Sequence, residues 1–326
     1  MNLQEGPVKK IIRAVGVVAP VLDWLFLPFT LLAALWFRVV RYWGVRNMRA
    51  TKAVFLKFGV FPIVNHYYEP LFDHRQVNPR KRESKLDFNE SSQLELLSKL
   101  TFDSEFPAVI AAQQGEWRYA FNNGSFEDKD ARAYYSLIRN NKPARILEVG
   151  SGYSTLVALC AIAKNKLENP AYICEMTCIE PYEMPRLEKL PIKLIRKKIE
   201  DIDPTVFSSL QENDILFIDS SHIIRPGGDV NYLFLSVLPF LPTGVWVHIH
   251  DVFLPEDYPV TWLKDEFRMW NEQYLLEALL TGNREFETIL ALNYLFVTHR
   301  DKLEATFPGS PSGPDKKPGS FWIKKR

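Results

Sequence analysis

Cysteine is scarce in this sequence. Only Cys160, Cys174 and Cys178 occur among 326 residues, and no two of them form a CxxC pair. Their number is odd, and two of them fall in a predicted buried strand. Neither a disulfide framework nor a zinc site is therefore indicated. We expect reduced thiols inside a protein core.

A large excess of charge of one sign is also absent. The 40 Lys and Arg residues nearly balance the 39 Asp and Glu residues, which leaves a formal net charge of +1. No polybasic tract is interleaved with aromatic residues, so nucleic acid is not expected as a partner. Hydrophobic residues make up 47% of the chain, which predicts a globular protein and excludes a disordered one. The length predicts one or two domains.

The charge is uneven along the chain, because the first 50 residues are both basic and apolar. They contain Lys9, Lys10, Arg13, Arg38, Arg41, Arg46 and Arg49 against Glu5 and Asp23. Between the basic groups lies an apolar run from Ala14 to Phe37, long enough to cross a hydrocarbon layer of ~30 Å. No small-residue cleavage site follows a short apolar core, so a signal peptide is not expected.

Several residues in this run bear on how it would meet a membrane. Asp23 would cost ~2.5–3.5 kcal/mol near the bilayer centre, and Pro20 and Pro28 would kink a helix. A re-entrant or interfacial helix therefore suits the run as well as a straight span. The arginines and aromatic residues that follow are typical of an interfacial belt facing an anionic cytoplasmic leaflet. We predict a membrane-associating segment over residues 1–50. The alternative is a buried helical hairpin that mediates oligomerisation in a cytoplasmic protein.

The most informative stretch begins at residue 145. Arg145 to Val149 predicts a short buried strand with Glu148 near its end, and Gly150 and Gly152 follow directly before a helical pattern. A strand that turns through glycines into a helix lets backbone N–H groups approach a ligand closely. The dinucleotide fingerprint G-x-G-x-x-G lacks its third glycine here, which argues against a pyrophosphate site.

The pattern E-x-G-x-G resembles the first motif of class I S-adenosylmethionine (SAM) methyltransferases, whose loop wraps the methionine end of SAM. Glu180 ends a predicted second strand, where an acid can bind two ribose hydroxyls. Glu200 and Asp201 follow a third strand, and acids at that point of the resembled family lie near the adenine amino group. The alternative is that these three acids are solvated loop residues. The predicted cofactor-binding residues are Glu148, Gly150, Gly152, Ser154, Thr155, Glu180 and Asp201.

Strands and helices alternate from residue 145 onward. The predicted strands are 145–149, 172–179, 192–199, 214–219, 244–250, 286–290 and 321–324. The predicted helices are 127–140, 154–164, 204–210, 229–238 and 261–281. This alternation predicts an α/β fold with a doubly wound, Rossmann-like, mostly parallel sheet. The resemblance implies seven strands, the last of which inserts antiparallel between the fifth and the sixth.

Three regions follow from this pattern. Residues 1–50 form the membrane-associating segment, residues 51–126 a cap that covers the substrate, and residues 127–326 the SAM-binding methyltransferase domain. Residues 51–126 carry no motif with recognisable chemistry, and the cap assignment depends on their position before the cofactor domain.

Acids and histidines follow the fourth and fifth predicted strands. Asp219 ends the fourth strand with His222 shortly after it, and the fifth strand ends in His248-Ile-His250-Asp251. Ligands of open α/β sheets bind at this carboxyl edge. Asp219, His250 and Asp251 could hold a divalent ion that lowers the pKa of a substrate hydroxyl, and His222 could act as general base. His248 lies deeper and is typical of a core histidine. In a purely structural alternative, Asp219 caps a loop and His222 binds a backbone carbonyl.

These elements resemble the metal-dependent, macrocin O-methyltransferase-like group over about Phe121 to Arg326. That group often has two adjacent acids after the fifth strand, whereas His250-Asp251 stands here, and imidazole suits manganese, iron or zinc better than magnesium. The resemblance implies SAM and a divalent metal, magnesium or manganese, as cofactors. With the apolar N-terminal segment, it implies a small-molecule, sugar or glycolipid hydroxyl as acceptor. A homo-oligomer is left open.

Two other functional classes are open. A mononuclear non-haem iron oxygenase would use His248 or His250 with Asp251 and Asp219. The glycine loop and Glu180 argue against it, because such a site needs no cofactor-binding turn. A membrane scaffold could retain an inactive methyltransferase domain, although the intact acids argue against this.

Overall fold

A computed structural model describes residues 19–64, 70–72, 77, 84–308, 313 and 316–326. The chain divides into two compact units, Met1–Gln76 and Val77–Arg326. The start of the predicted apolar run and the basic residues before it lie outside the described residues. So do parts of the predicted cap and of the loop at 307–320.

The first unit is helical where it is described. Helix α1 spans Ala19–Trp43, a 3-10 turn covers Val45–Asn47, and helix α2 spans Arg49–Phe58. The apolar window of α1 has a mean hydropathy of 1.7 and none of it is buried. Its 25 residues extend about 37 Å at 1.5 Å per residue. By length and composition α1 could cross a membrane, a test that a signal sequence near an N-terminus also passes.

The second unit contains a seven-stranded sheet. Its strands are β1 Arg145–Val149, β2 Glu175–Ile179, β3 Lys193–Ile195, β4 Ile215–Ile218, β5 Trp246–Ile249, β6 Phe286–Ala291 and β7 Phe321–Lys325. Their order is β3-β2-β1-β4-β5-β7-β6. The first five strands pair in parallel, and β7 is antiparallel to both β5 and β6. The predicted α/β fold and the insertion of the last strand are confirmed.

Helices cover both faces of this sheet. They are α3 Glu90–Lys99, α4 Phe106–Ala111, α5 Asp128–Asn141, α6 Tyr153–Glu168, α7 Asp229–Tyr232, α8 Val260–Lys264, α9 Glu272–Leu280, α10 Leu292–Thr298 and α11 Arg300–Thr306. Alternate residues of β4 enter different cores: Ile215 and Phe217 pack with α5 and α6, whereas Leu216 and Ile218 pack with α9. This alternation follows from the two-residue period of a strand.

The prediction of one helix over 261–281 is wrong. Two helices, α8 and α9, are separated by residues 265–271. Phe267 in this connection has φ of +52°, a left-handed conformation that a right-handed helix cannot contain. The Arg268 guanidinium lies 4.1 Å and 4.5 Å from the ring centroids of Trp262 and Trp270. These cation–π contacts pack the connection between the two helices.

Residues 84–126 pack against the edge strand β6 and against helix α5. Gln93 of α3 accepts a hydrogen bond from the Ala291 N–H of β6 at 2.7 Å. Asp103, which precedes α4, pairs with Arg132 of α5 at 2.5 Å. These contacts hold residues 84–126 of the predicted cap against the sheet of the second unit, and the covering of a substrate stays a prediction.

Candidate active site

The turn after β1 contains a glycine in the left-handed backbone conformation. Gly150 has φ of +77°, and a Cβ at this position would lie 2.0 Å from the carbonyl oxygen of Asp219. The Gly150 N–H donates to Ile179, and the Asp219 N–H donates to Val149 at 2.9 Å. Any side chain at Gly150 would force the turn after β1 away from the turn after β4. The loop after β1 therefore lies directly against the first residue after β4.

Glu148 shapes this loop from inside the protein. It is fully buried, and its Oε1 accepts hydrogen bonds from Ser154 Oγ at 3.0 Å and Thr155 Oγ1 at 2.6 Å. The Gly152 N–H in turn donates to Thr155 Oγ1 at 3.0 Å. Burial raises the pKa of Glu148 to about 8, although the two hydroxyl hydrogen bonds oppose the shift. This carboxyl group is therefore mostly neutral at pH 7 and fixes the start of α6.

Glu180 follows β2 and contacts the same loop. Its Oε2 accepts a hydrogen bond from the Ser151 N–H at 3.3 Å, and its Oε1 accepts one from the Tyr182 N–H at 2.9 Å. Each carboxylate oxygen has two lone pairs, so each can accept a further hydrogen bond from a ligand hydroxyl. Asp201, in contrast, is exposed in the 3-10 turn Ile199–Asp201 after β3.

Asp219, His222 and Asp251 converge where β4 and β5 end. One possible ligand atom from each residue lies within 4.8 Å of the other two. His222 Nε2 is 3.3 Å from Asp219 Oδ1 and 3.7 Å from Asp251 Oδ2. His222 and Asp251 both have positive φ values, +60° and +56°, so two tight turns bring these side chains together. We call these three residues the acid–imidazole group.

The second ring nitrogen of His222 is held by Glu272. His222 Nδ1 lies 2.8 Å from Glu272 Oε2, and Glu272 Oε1 accepts a hydrogen bond from Ser220 at 2.9 Å. Glu272 is the buried first residue of α9, and the Trp270 ring centroid lies 4.3 Å from that of His222. A carboxylate at Nδ1 fixes the tautomer and directs Nε2 toward Asp219 and Asp251. The sequence prediction missed Glu272, because within a long predicted helix it is an ordinary helical acid.

Asp219 and His222 each favour the charged form of the other. Burial alone would lower the pKa of His222, but hydrogen bonds to Asp219 and Glu272 outweigh it and raise that pKa well above its usual range. Burial likewise opposes ionisation of Asp219, whereas the hydrogen bond from His222 and the nearby His250 lower its pKa.

His250 lies beside this group without belonging to it. Its Nε2 is 3.6 Å from Asp251 Oδ1, and its buried Nδ1 has no hydrogen-bond partner among the described residues. Burial opposes protonation of His250, but Asp251, Asp219 and Asp130 raise its pKa.

His248, two residues before His250 and within β5, is a core residue. Its Nε2 lies 2.9 Å from Ser320 Oγ and its ring stacks on Phe217 at 4.0 Å.

Comparison with known proteins identifies the domain. Residues 147–252 match the family model of a methyltransferase domain, a segment that contains both the glycine loop and the acid–imidazole group. An uncharacterised protein from Archaeoglobus fulgidus is 31% identical over 176 residues, which cover 48% of this chain and 76% of that protein.

Solved structures give weaker matches. The plantazolicin methyltransferase BpumL in complex with SAH is 14% identical with a TM-score of 0.32, over 73% of this chain and 99% of that one. A putative methyltransferase from Thermobifida fusca is 14% identical with a TM-score of 0.33, over 72% of this chain and 94% of that one. The fold assignment rests on the strand order and not on these scores. The chain thus belongs to one family with this archaeal protein, and its residues 147–252 match a methyltransferase domain.

Proposed function

We propose that this protein is a SAM-dependent O-methyltransferase that deprotonates an acceptor hydroxyl with the help of a divalent metal ion. The observation that carries the proposal is the contact between two features. The glycine loop, at Gly150, packs against the backbone of Asp219, the first member of the acid–imidazole group. A cofactor in the loop and an acceptor at the group would therefore be neighbours.

The loop after β1 suits SAM. Its glycine backbone allows close approach of a ligand, and Glu180 retains lone pairs for two ribose hydroxyls. SAM supplies a methyl group on an electrophilic sulfonium. Glu148, Ser154 and Thr155 hold the loop in place from behind, so their contribution to binding is positioning.

The acid–imidazole group suits a divalent cation. Two carboxylates and one imidazole nitrogen would hold the ion, a donor set that suits manganese, iron or zinc better than magnesium. The ion would supply positive charge that lowers the pKa of an acceptor hydroxyl. Glu272 behind His222 gives the supporting contact that metal-bound histidines usually have.

His222 cannot be both metal ligand and general base. Its Nδ1 is bonded to Glu272, so Nε2 is the single ring nitrogen facing Asp219 and Asp251. We assign Nε2 to the metal. The general-base role predicted from the sequence is the alternative, which applies if the reaction needs no metal. In either case the chain must hold the acceptor oxygen in line with the methyl group.

The acceptor we propose is a hydroxyl of a small molecule, sugar or glycolipid at the cytoplasmic face of a membrane. The exposed apolar surface of α1 supports a membrane location. The iron oxygenase is not favoured, because the group contains one histidine and two carboxylates, the reverse of the two-histidine, one-carboxylate set.

The test is methyl transfer from tritium-labelled SAM to a detergent extract of membrane lipids, with the full-length protein. We expect excess EDTA to stop transfer, Mn²⁺ to restore it, and SAM binding to survive both treatments. Asp251→Asn should lower turnover by about 10²–10⁴-fold, whereas Asp265→Asn, at an exposed acid, should not. Turnover that persists after chelation would make His222 the base. SAM binding without transfer to any fraction would favour the inactive scaffold.

A further inference from the structure

The first unit contains a large apolar cleft. Its volume is about 1000 Å³, at the upper end of the range typical of small-molecule sites. The stretch of α1 from Leu31 to Trp43 forms one side, and residues 62–64 with Leu71 form the other. The cleft extends about 18 Å along the axis of α1, since each of the 12 steps from Leu31 to Trp43 rises 1.5 Å.

The charged residues among the described lining of this cleft are basic. Arg38 and Arg41 are the charged residues of the lining, and no Asp or Glu lies among the described lining residues. The Arg41 guanidinium lies 5.2 Å from the ring centroid of Phe61. Arg38 is exposed and has no ion-pair partner among the residues that the structure describes. An apolar cleft with an available guanidinium suits a ligand with an anionic head and an apolar chain.

The position of the cleft on α1 identifies the source of such a ligand. N-terminal to it, α1 exposes apolar side chains such as Trp24, Leu27 and Phe29, whereas its C-terminal end carries Trp43 after the two arginines. Aromatic residues and arginines are typical of the level of lipid headgroups. The cleft thus extends from that level into the depth at which acyl chains lie.

We propose that the cleft binds one anionic phospholipid of the membrane, with an acyl chain against α1 and the phosphate on Arg38. The lipid would fix the first unit at the membrane surface. This inference rests on the membrane location in the proposed function and not on the methyl-transfer chemistry.

Native mass spectrometry of the full-length protein in detergent tests this proposal. Delipidated protein is titrated with phosphatidylglycerol, or with phosphatidylcholine of the same chains. We expect a single tightly bound phosphatidylglycerol. Arg38→Gln should weaken its binding about tenfold, the loss of one charge-assisted contact. Arg49→Gln removes the same charge from an exposed position outside the cleft and should have no comparable effect. Equal losses in both variants would mean general surface attraction and would overturn the proposal.

A second pair of variants tests the cleft without changing charge. Ala34 lines the cleft, whereas the neighbouring Ala33 does not, and both are exposed on α1. Ala34→Trp should abolish retention of the lipid, and Ala33→Trp should leave it unchanged. If wild-type protein floats with phosphatidylglycerol vesicles but Ala34→Trp retains the lipid, the cleft proposal fails while the membrane location stands. Wild-type protein that does not float would overturn both.

Discussion

Helix α1 of the first unit exposes most of its aromatic residues, whereas the core of the second unit buries many of its own. In the second unit Tyr134 and Trp322 are fully buried, whereas in the first Trp24 is 78% exposed and Tyr42 90% exposed. Burial of apolar surface stabilises a protein by roughly 25 cal/mol per Å². The second unit obtains this stabilisation from its own core. The exposed aromatic side chains of α1 would obtain it from an apolar environment or from another chain.

The two units also differ in how charge is compensated. Between residues 19 and 58 there are six Arg and Lys residues and a single acid, Asp23. In the second unit buried charges are paired: Arg139, for example, bonds Glu105 and Glu168 at 2.5 Å and 2.6 Å. An excess of cations on an apolar helix matches an anionic membrane, whereas paired charges are typical of a protein interior. The comparison predicts that changes in one unit leave the function of the other intact.

Removal of residues 1–76 should have the largest effect. We expect the remaining chain to lose binding to anionic vesicles, because arginines near the surface contribute about 1 kcal/mol each and α1 adds apolar burial. SAM affinity, measured by calorimetry, should not change. High salt should release the full-length protein if α1 is interfacial, and only detergent should release it if α1 spans the membrane. If the full-length protein does not bind vesicles and purifies without detergent as a tight oligomer, the alternative of a buried helical hairpin would be favoured.

Much of the fold could be predicted, because the buried strands of this sheet are apolar runs bounded by polar turns. β1 begins and ends as predicted, and the observed β4 and β5 lie inside their predicted ranges. The failure at 261–281 has a tertiary cause. Trp262 and Trp270 repeat at a spacing compatible with a helix, but they pack against Arg268 in an irregular connection.

The candidate site was predictable only where its residues follow strands. Asp219, His222 and Asp251 lie just after β4 and β5, and the topology of a parallel sheet places such residues at one edge. Glu272 comes from α9, 50 residues after His222, and no local pattern marks it. His250 precedes Asp251 in the chain, its Nε2 lies 3.6 Å from Asp251 Oδ1, and its role as a metal ligand stays a prediction.

A change at Glu180 would test whether SAM binding by the second unit is independent of membrane binding by the first. Glu180→Ala should weaken SAM binding about 10²-fold, because two charge-assisted hydrogen bonds of ~1.5–3 kcal/mol each are lost, partly replaced by water. Vesicle binding should stay as in the wild type. Glu183→Ala, at an exposed position three residues later, is the matched control. Normal SAM affinity in Glu180→Ala would remove Glu180 from the cofactor site.

Glu272 should act through His222 as a positioning residue. Glu272→Leu removes the partner of Nδ1 and should lower metal affinity and turnover by about 10–100-fold, as the loss of outer contacts to metal ligands usually does. Glu272→Gln keeps an acceptor oxygen and should recover part of this loss. Mn²⁺ affinity measured by calorimetry separates the effect from folding. Unchanged Mn²⁺ affinity with a lower melting temperature would leave Glu272 a structural role alone.

The smallest effect should come from Glu148, whose carboxyl group is fully buried in the second unit. Its pKa is about 8 when folded and near 4.5 when exposed, so between these values the unfolded chain releases a proton that the folded chain keeps. Wild-type stability should therefore fall as pH rises through this window. Glu148→Gln has no proton to lose, and its amide oxygen can still accept from Ser154 and Thr155. The variant's melting temperature, relative to wild type, should therefore rise steadily as pH rises across the window. Glu175→Gln, at an exposed site on β2, should show no such trend. A difference between Glu148→Gln and wild type that does not change with pH would mean that Glu148 is ionised in the folded protein, and the loop would then present a negative charge to its ligand.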